Sequence, residues 1–200
     1  WIKSRLKIIF YLILPIMKNL LFILVLLGFI SHPSYAYQSI IEQIDEFNAN
    51  VIFMRHALAP GFGDPVNFNI QDCKSQRNLN DAGREQAQNI GQFFLKNKII
   101  FTEILTSEWC RCIDTALEMN IGVPTSFDGL SSFFQGHVNK SDVIKKLNIR
   151  LDNLSSESLT LMITHQVVIA EITSISPSSG GIILYNSKNK TSKEFKIDDH

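Results

Sequence analysis

From Asn50 onward the chain alternates between two periodicities, short apolar runs and longer stretches of helical spacing. Val51-Ile52-Phe53-Met54 is a continuous apolar run set between Asn48–Asn50 and Arg55-His56, the pattern of a strand buried on both faces. Ile100–Leu105 and Leu159–Thr164 repeat it, Gly181–Tyr185 is a further strand, and Ser192–Ile197 reads as an edge strand. Between these runs lie helical patterns. One is capped by Asn80 or Asp81 and runs to about Lys96, with Ala87, Ile90, Phe93 and Phe94 at helical spacing. Another spans Glu108–Met119, with Cys112, Ile113, Ala116 and Leu117 on one face. Lys140–Leu151 is amphipathic, and Val167–Thr173 is short. Ala57–Asp64, with Pro60, Gly61 and Gly63, is a loop, and Gly122–Phe134 is irregular. Strands that alternate with helices imply an α/β three-layer sandwich, a mostly parallel central sheet flanked by helices.

Composition changes this picture at the N-terminus. Residues 1–36 hold Lys3, Arg5, Lys7 and Lys18 and no acid. Read from Met17, Lys18 is a positive start, Leu20–Ile30 an apolar core of eleven residues, and Ser34-Tyr35-Ala36 a small-x-small cleavage site. That is the plan of a secretory signal peptide, so 1–36 is expected to be removed and 37–200 to form one exported domain, periplasmic or extracellular. The alternative is a membrane anchor over residues 8–30, which Lys18-Asn19 interrupts; the apolar core Leu20–Ile30 alone is short of the roughly 20 residues a span needs. Without 1–36 the chain carries 15 bases against 19 acids, a net charge of −4. An acidic domain has no surplus of cations with which to bind nucleic acid. Export also gives the three cysteines meaning: one disulfide and one leftover thiol, with Cys73 paired to Cys110 or to Cys112, because Cys110 and Cys112 strain to pair with each other.

In parallel α/β sheets ligands sit outside the carboxyl ends of the strands. His56 follows the first strand, Ser107 the second and His165 the third, and Arg111 lies one helical turn beyond Ser107. With Arg55, this gathers two guanidiniums and two imidazoles at neighbouring strand ends. Such a group calls for an anion, and arginine forks match phosphate oxygens in a bidentate way. A bound metal would want carboxylates at those ends instead, so no metal ligands are assigned. A neutral imidazole whose other nitrogen donates to a backbone carbonyl is a competent nucleophile toward phosphorus.

Four segments then carry a resemblance. Val51-Ile52-Phe53-Met54-Arg55-His56-Ala57 resembles the Arg-His signature of the histidine phosphatase superfamily, the phosphoglycerate-mutase-like fold, with Ala57 at its usual Gly. Leu79–Ala87 is similar to its Leu-Thr-x-x-Gly-x-x-Gln-Ala helix start, Ser107–Ala116 to its Ser-x-x-x-Arg-x-x-x-Thr-Ala segment, and Ile163-Thr164-His165 to its second histidine, with Val167 in place of a Gly. Asp72-Cys73, Gln76-Arg77-Asn78 and the Cys-Arg-Cys suggest its small exported branch. The resemblance implies a phosphatase that needs no cofactor: His56 takes the phosphoryl group of a small phosphorylated substrate while Arg55, Arg111 and His165 hold its oxygens. Ser107 and Arg77 are further substrate contacts. Ser132 sits where many members carry an acid, and Asp128 is the nearest carboxylate able to protonate a leaving group. Without an acid the alternative is a phosphate-binding module that does no chemistry. Phe133 and Phe134 read as core or as pocket wall.

Overall fold

The computed structural model describes residues 39–197. The expected signal segment, with Met17 and the alternative anchor over 8–30, lies outside the described residues, as does His200.

The elements, in chain order, are α1 Ile40–Phe47, β1 Val51–Arg55, α2 Asp81–Lys96, β2 Glu103–Thr106, α3 Cys110–Met119, β3 Thr125–Ser126, α4 Lys140–Asp152, β4 Thr160–Thr164, α5 Gln166–Thr173, β5 Ile182–Asn186 and β6 Thr191–Phe195, with three short 3-10 turns at Cys73–Ser75, Asp128–Leu130 and Phe134–Gly136. The six strands form one sheet in the order β3-β2-β4-β1-β5-β6. β3, β2, β4 and β1 are parallel; β5 and β6 are antiparallel to their neighbours. β1 and β4 lie at the centre, and their uninterrupted apolar sequences follow from burial on both faces.

Strand alternation sorts the core into two layers. Ile52, Met54, Leu161, Ile163 and Leu184 face α1, α2 and α3. Val51, Phe53, Met162, Ile183 and Tyr185 face α4 and α5. The expected three-layer sandwich with a mostly parallel sheet is therefore the fold observed.

Local chemistry explains most boundaries. Asn80 caps α2 by accepting the Gly83 N–H at 2.9 Å. Gly91, in the middle of α2, lets that helix approach α3: a Cβ there would lie 2.0 Å from the Met119 carbonyl oxygen. Three expectations need correction. β2 starts at Glu103 rather than Ile100, because its pairing to β4 begins at Thr160 and Ile100 is exposed. The buried face of α3 is Cys112, Thr115, Ala116 and Met119; Leu117 faces solvent. The segment from Gly122, expected to be irregular, contains β3, which adds two residues to the edge of the sheet beside Leu105 and Thr106. The sequence reading also passed over α1, whose Ser39 forms a capping box with Glu42. No helix among the described residues is long and apolar enough to cross a membrane.

Candidate active site

β1, β2 and β4 run parallel, so their carboxyl ends open on one edge of the sheet. The backbone ladder continues one residue past each strand. The His56 N–H donates to the Thr164 carbonyl at 2.9 Å, and the Ser107 N–H donates to the Ile163 carbonyl at 3.0 Å. Arg111 rises from the first turn of α3. One turn later the Thr115 hydroxyl accepts the Ala57 N–H at 3.0 Å and donates to the Arg111 carbonyl at 2.6 Å, which ties the residue after His56 to the helix that carries Arg111.

His56 is buried, and its Nδ1 lies 2.7 Å from the Ala57 carbonyl oxygen. A carbonyl only accepts, so Nδ1 carries the proton and Nε2 keeps its lone pair. Burial first, and then the positive charge of Arg111, push the imidazole down to about 3, so it is neutral at neutral pH. His165 stands across from it, with ring centroids 5.5 Å apart. Arg111 Nη2 donates to His165 Nδ1 at 3.5 Å, which leaves Nε2 to donate to the Ser107 hydroxyl at 2.9 Å. Burial and the charge of Arg111 hold His165 well below its ordinary range as well.

Arg111 has a partner that the sequence did not announce. The Asp64 carboxylate, buried like the guanidinium, accepts from Nη1 at 2.8 Å and from Nη2 at 3.2 Å. It also accepts from the Trp109 indole at 3.0 Å and the Arg77 N–H at 3.1 Å. Burial alone would raise this carboxyl, but the hydrogen bonds and charge of Arg111 outweigh it and keep Asp64 below its ordinary value. Asp64 sits in a Gly- and Pro-rich loop 47 residues before Arg111, where periodicity carries no signal.

These groups surround a cavity of about 130 Å³ lined by Arg55, Arg77, Arg111, His56 and His165 and by Phe62 and Phe134 at its mouth. No Asp or Glu is among the lining residues. Arg55 Nε and Arg111 Nε are buried without a hydrogen-bond partner among the described residues. Arg55 is otherwise held by the Pro177 carbonyl at 3.1 Å, and its guanidinium is pulled below its ordinary value by burial and by Arg111. Guanidinium donors left unpaired beside a cavity suit an anion with several oxygens.

The sequence-predicted residues divide accordingly. Arg55, His56, Arg111, His165 and Arg77 line the cavity together. Arg77 also donates to the Gly63 carbonyl at 2.8 Å and to that of Ala59. Ser107 is buried and is not among the lining residues; its hydroxyl meets His165 Nε2 at 2.9 Å. Asp128 is half exposed, paired with Lys146 at 2.5 Å, and is not among the lining residues. Its 3-10 turn aims it at α4, away from the cavity. Ser132 and Phe134 do line it, whereas Phe133 packs against the core under α4 and α5. Cys73 pairs with Cys110, and Cys112 is a buried free thiol on the core face of α3, raised to about 12 by burial.

A six-stranded sheet of this order, with an arginine and a histidine closing its central strand and a second histidine closing the neighbouring one, has counterparts among solved phosphatases. Solved structures carry the same fold at low identity. A candidate alpha-ribazole-5'-P phosphatase from Escherichia coli K-12 superposes with a TM-score of 0.52 at 16% identity, covering 74% of this chain and 95% of its own. A mycobacterial glucosyl-3-phosphoglycerate phosphatase gives 0.50 at 11% identity over 73% and 96%. The protein histidine phosphatase SixA, in complex with tungstate, gives 0.49 at 16% identity over 73% and 94%. No protein-family model and no curated protein matches this sequence.

Proposed function

We propose that this chain is an exported phosphatase, its active domain spanning 37–200, that works through a phosphohistidine on His56. The observation that carries the reading is the cavity itself: three arginines and two neutral histidines around about 130 Å³, with two guanidinium Nε–H groups unpaired. That the fold is shared with phosphatases supports it. The His56 Nε2 lone pair bonds to phosphorus as the bond to the leaving group breaks, and the electron pair departs with that group. Arg55 and Arg111 hold the equatorial oxygens, where charge is stabilised by groups already in position. A phosphoryl group beside His165 favours its protonated form, whose Nδ1 then donates as well. Water next attacks phosphorus, the P–N bond breaks with its pair returning to Nε2, and orthophosphate leaves.

The test is a labelling experiment. Incubation with acetyl [32P]phosphate and denaturing quench should leave acid-labile, base-stable label on the protein, and His56→Ala should carry none. Absence of label together with absence of phosphate release from any phosphoester would defeat the reading. One observation favours a second reading, a phospholigand-binding module: no carboxylate lines the cavity to protonate a leaving group. Phosphate binding without turnover would select it. Sequencing the N-terminus of the protein recovered outside the cytoplasm tests removal of 1–36, which is expected to leave Tyr37 first.

A further inference from the structure

Phe62 stands at the cavity mouth 89% exposed, and Phe134 meets it edge to face, with ring centroids 5.0 Å apart. A phenyl ring held in water costs burial energy that the fold does not recover elsewhere. This one is held there by construction. It sits between Gly61 at φ 98° and Gly63 at φ 67°, both in the region that disfavours side chains, and a Cβ on Gly63 would lie 2.8 Å from Gln135 Oε1. The side-chain amide of Gln135 clamps the loop from the other side: it accepts the Asp64 N–H at 2.6 Å and donates to the Asp64 carbonyl at 3.2 Å. Gln135 itself is held at φ 67°, an unfavourable conformation for a residue with a side chain. One loop thus turns on two glycines, the other holds Gln135 in the left-handed region, and the two are stapled together with two rings beside His56 and the arginines.

The leaving group must also depart without a carboxylic acid to protonate it. Asp64 is the nearest carboxylate to Arg111, but both its oxygens accept from cationic or N–H donors, and as an anion it has no proton to give. Where no carboxylic acid donates a proton, poorly stabilised leaving groups lose about 10²–10⁴ in rate. The ring at the mouth and the missing acid point to one chemistry.

We infer that Phe62 and Phe134 form a platform for the leaving group, and that the site takes phosphoryl compounds whose phosphorus is borne by a planar aromatic ring, aryl phosphates ahead of alkyl ones. The inference rests on the phosphatase reading above and adds the substrate class to it. As His56 Nε2 bonds to phosphorus, the P–O bond to the ring breaks. Its electron pair stays on the ring oxygen, delocalised into the ring, and the phenolate takes its proton from water. The departing ring lies edge-on or offset to Phe62 and Phe134, the arrangements aromatic pairs prefer.

Two substrates with good leaving groups separate the ring from the phosphoryl group: 4-nitrophenyl phosphate, which has one, and acetyl phosphate, which does not. The readout is the ratio of their kcat/KM values on the full protein. Phe62→Ala and Phe62→Leu are expected to lower that ratio roughly fivefold to tenfold, through KM for the aryl ester, and Phe62→Trp to keep it. Phe62 is exposed, so these variants fold. A ratio unmoved by Phe62→Ala, or one that leucine preserves, overturns the platform; an exposed ring that served a protein partner instead would give the first result. If acetyl phosphate labels His56 while the ratio stays put, only the platform fails. If neither compound labels the protein or is hydrolysed, the phosphatase reading fails and the platform with it.

Discussion

The Ala57 carbonyl decides which nitrogen of His56 is free, and the Ala57 N–H is held in turn by the Thr115 hydroxyl. Burial of a neutral imidazole has a cost that appears as pH dependence. His56 takes its proton near pH 3 in the folded chain and near its ordinary 6.5 in the unfolded one. Between those values the unfolded chain binds more protons, so stability falls as pH is lowered through that window. Asp64 acts in the same direction: its folded value is lowered, so it contributes stability above the ordinary carboxylate range and loses it as pH falls through that folded value. Thermal unfolding in phosphate-free buffer is expected to shift to lower temperature from pH 7 to pH 4.5, and His56→Gln should flatten the slope. An unchanged slope in that variant would show that the imidazole is not buried neutral. Arg55, His56, Arg111 and His165 were legible in the sequence because each follows the end of an apolar run or the helix after one. Asp64 was not, since a loop carboxylate far from its arginine in sequence has no spacing to betray it. Ser107 follows its strand as the sequence indicated, but position after a strand does not say which way a hydroxyl points, and here it meets His165 Nε2.

At the scale of elements, the loop from Ala57 to Asn78 depends on what anchors it to α3. It is held at Cys73 by the disulfide to Cys110, at Gln76 by the Cys110 N–H at 3.0 Å, and at Asp64 by Arg111 and Trp109. The bridge closes a separation of 37 residues, which in the chain-entropy account contributes about 4 kcal/mol. The double variant Cys73→Ser/Cys110→Ser should melt about 10 °C lower, measured by circular dichroism. A shift of one or two degrees would mean that Asp64 and Gln76 hold the loop without it. Of the two pairings the sequence allowed, geometry chose Cys110, because Cys112 turns inward with Ala116 and Met119. Helical spacing contained that hint, but Ile113 and Leu117 blurred it by making the flank beside Cys112 and Ala116 look apolar too. β3 escaped notice for a simpler reason: two exposed residues, Thr125 and Ser126, carry no period at all.

For the molecule as a whole, a chain with as many acids as bases gathers three arginines and no carboxylate around one hollow. An anion bound there should stabilise the fold. Orthophosphate at a hundred times its Kd is expected to add about 2.7 kcal/mol to the unfolding free energy, and sodium chloride at equal ionic strength to add none. Arg55→Ala should weaken this effect; Arg111→Ala is the poorer test, since it strands Asp64 as a buried unpaired charge. Equal responses to phosphate and chloride would rule out a specific seat. Fold class was readable because the centre of the sheet is written in unbroken apolar runs at β1 and β4; the strand order was not, because nothing along the chain says which runs become neighbours. That order has a consequence in time. Val51 pairs with Thr160 on one side and Tyr185 on the other, so the first strand synthesised waits for the last quarter of the chain before it has any neighbour in the sheet. Contacts of such long sequence separation form slowly. A nascent or truncated chain ending before β4 holds His56 on an unpaired strand with no His165 opposite it, and the hollow comes into being only as the final strands arrive.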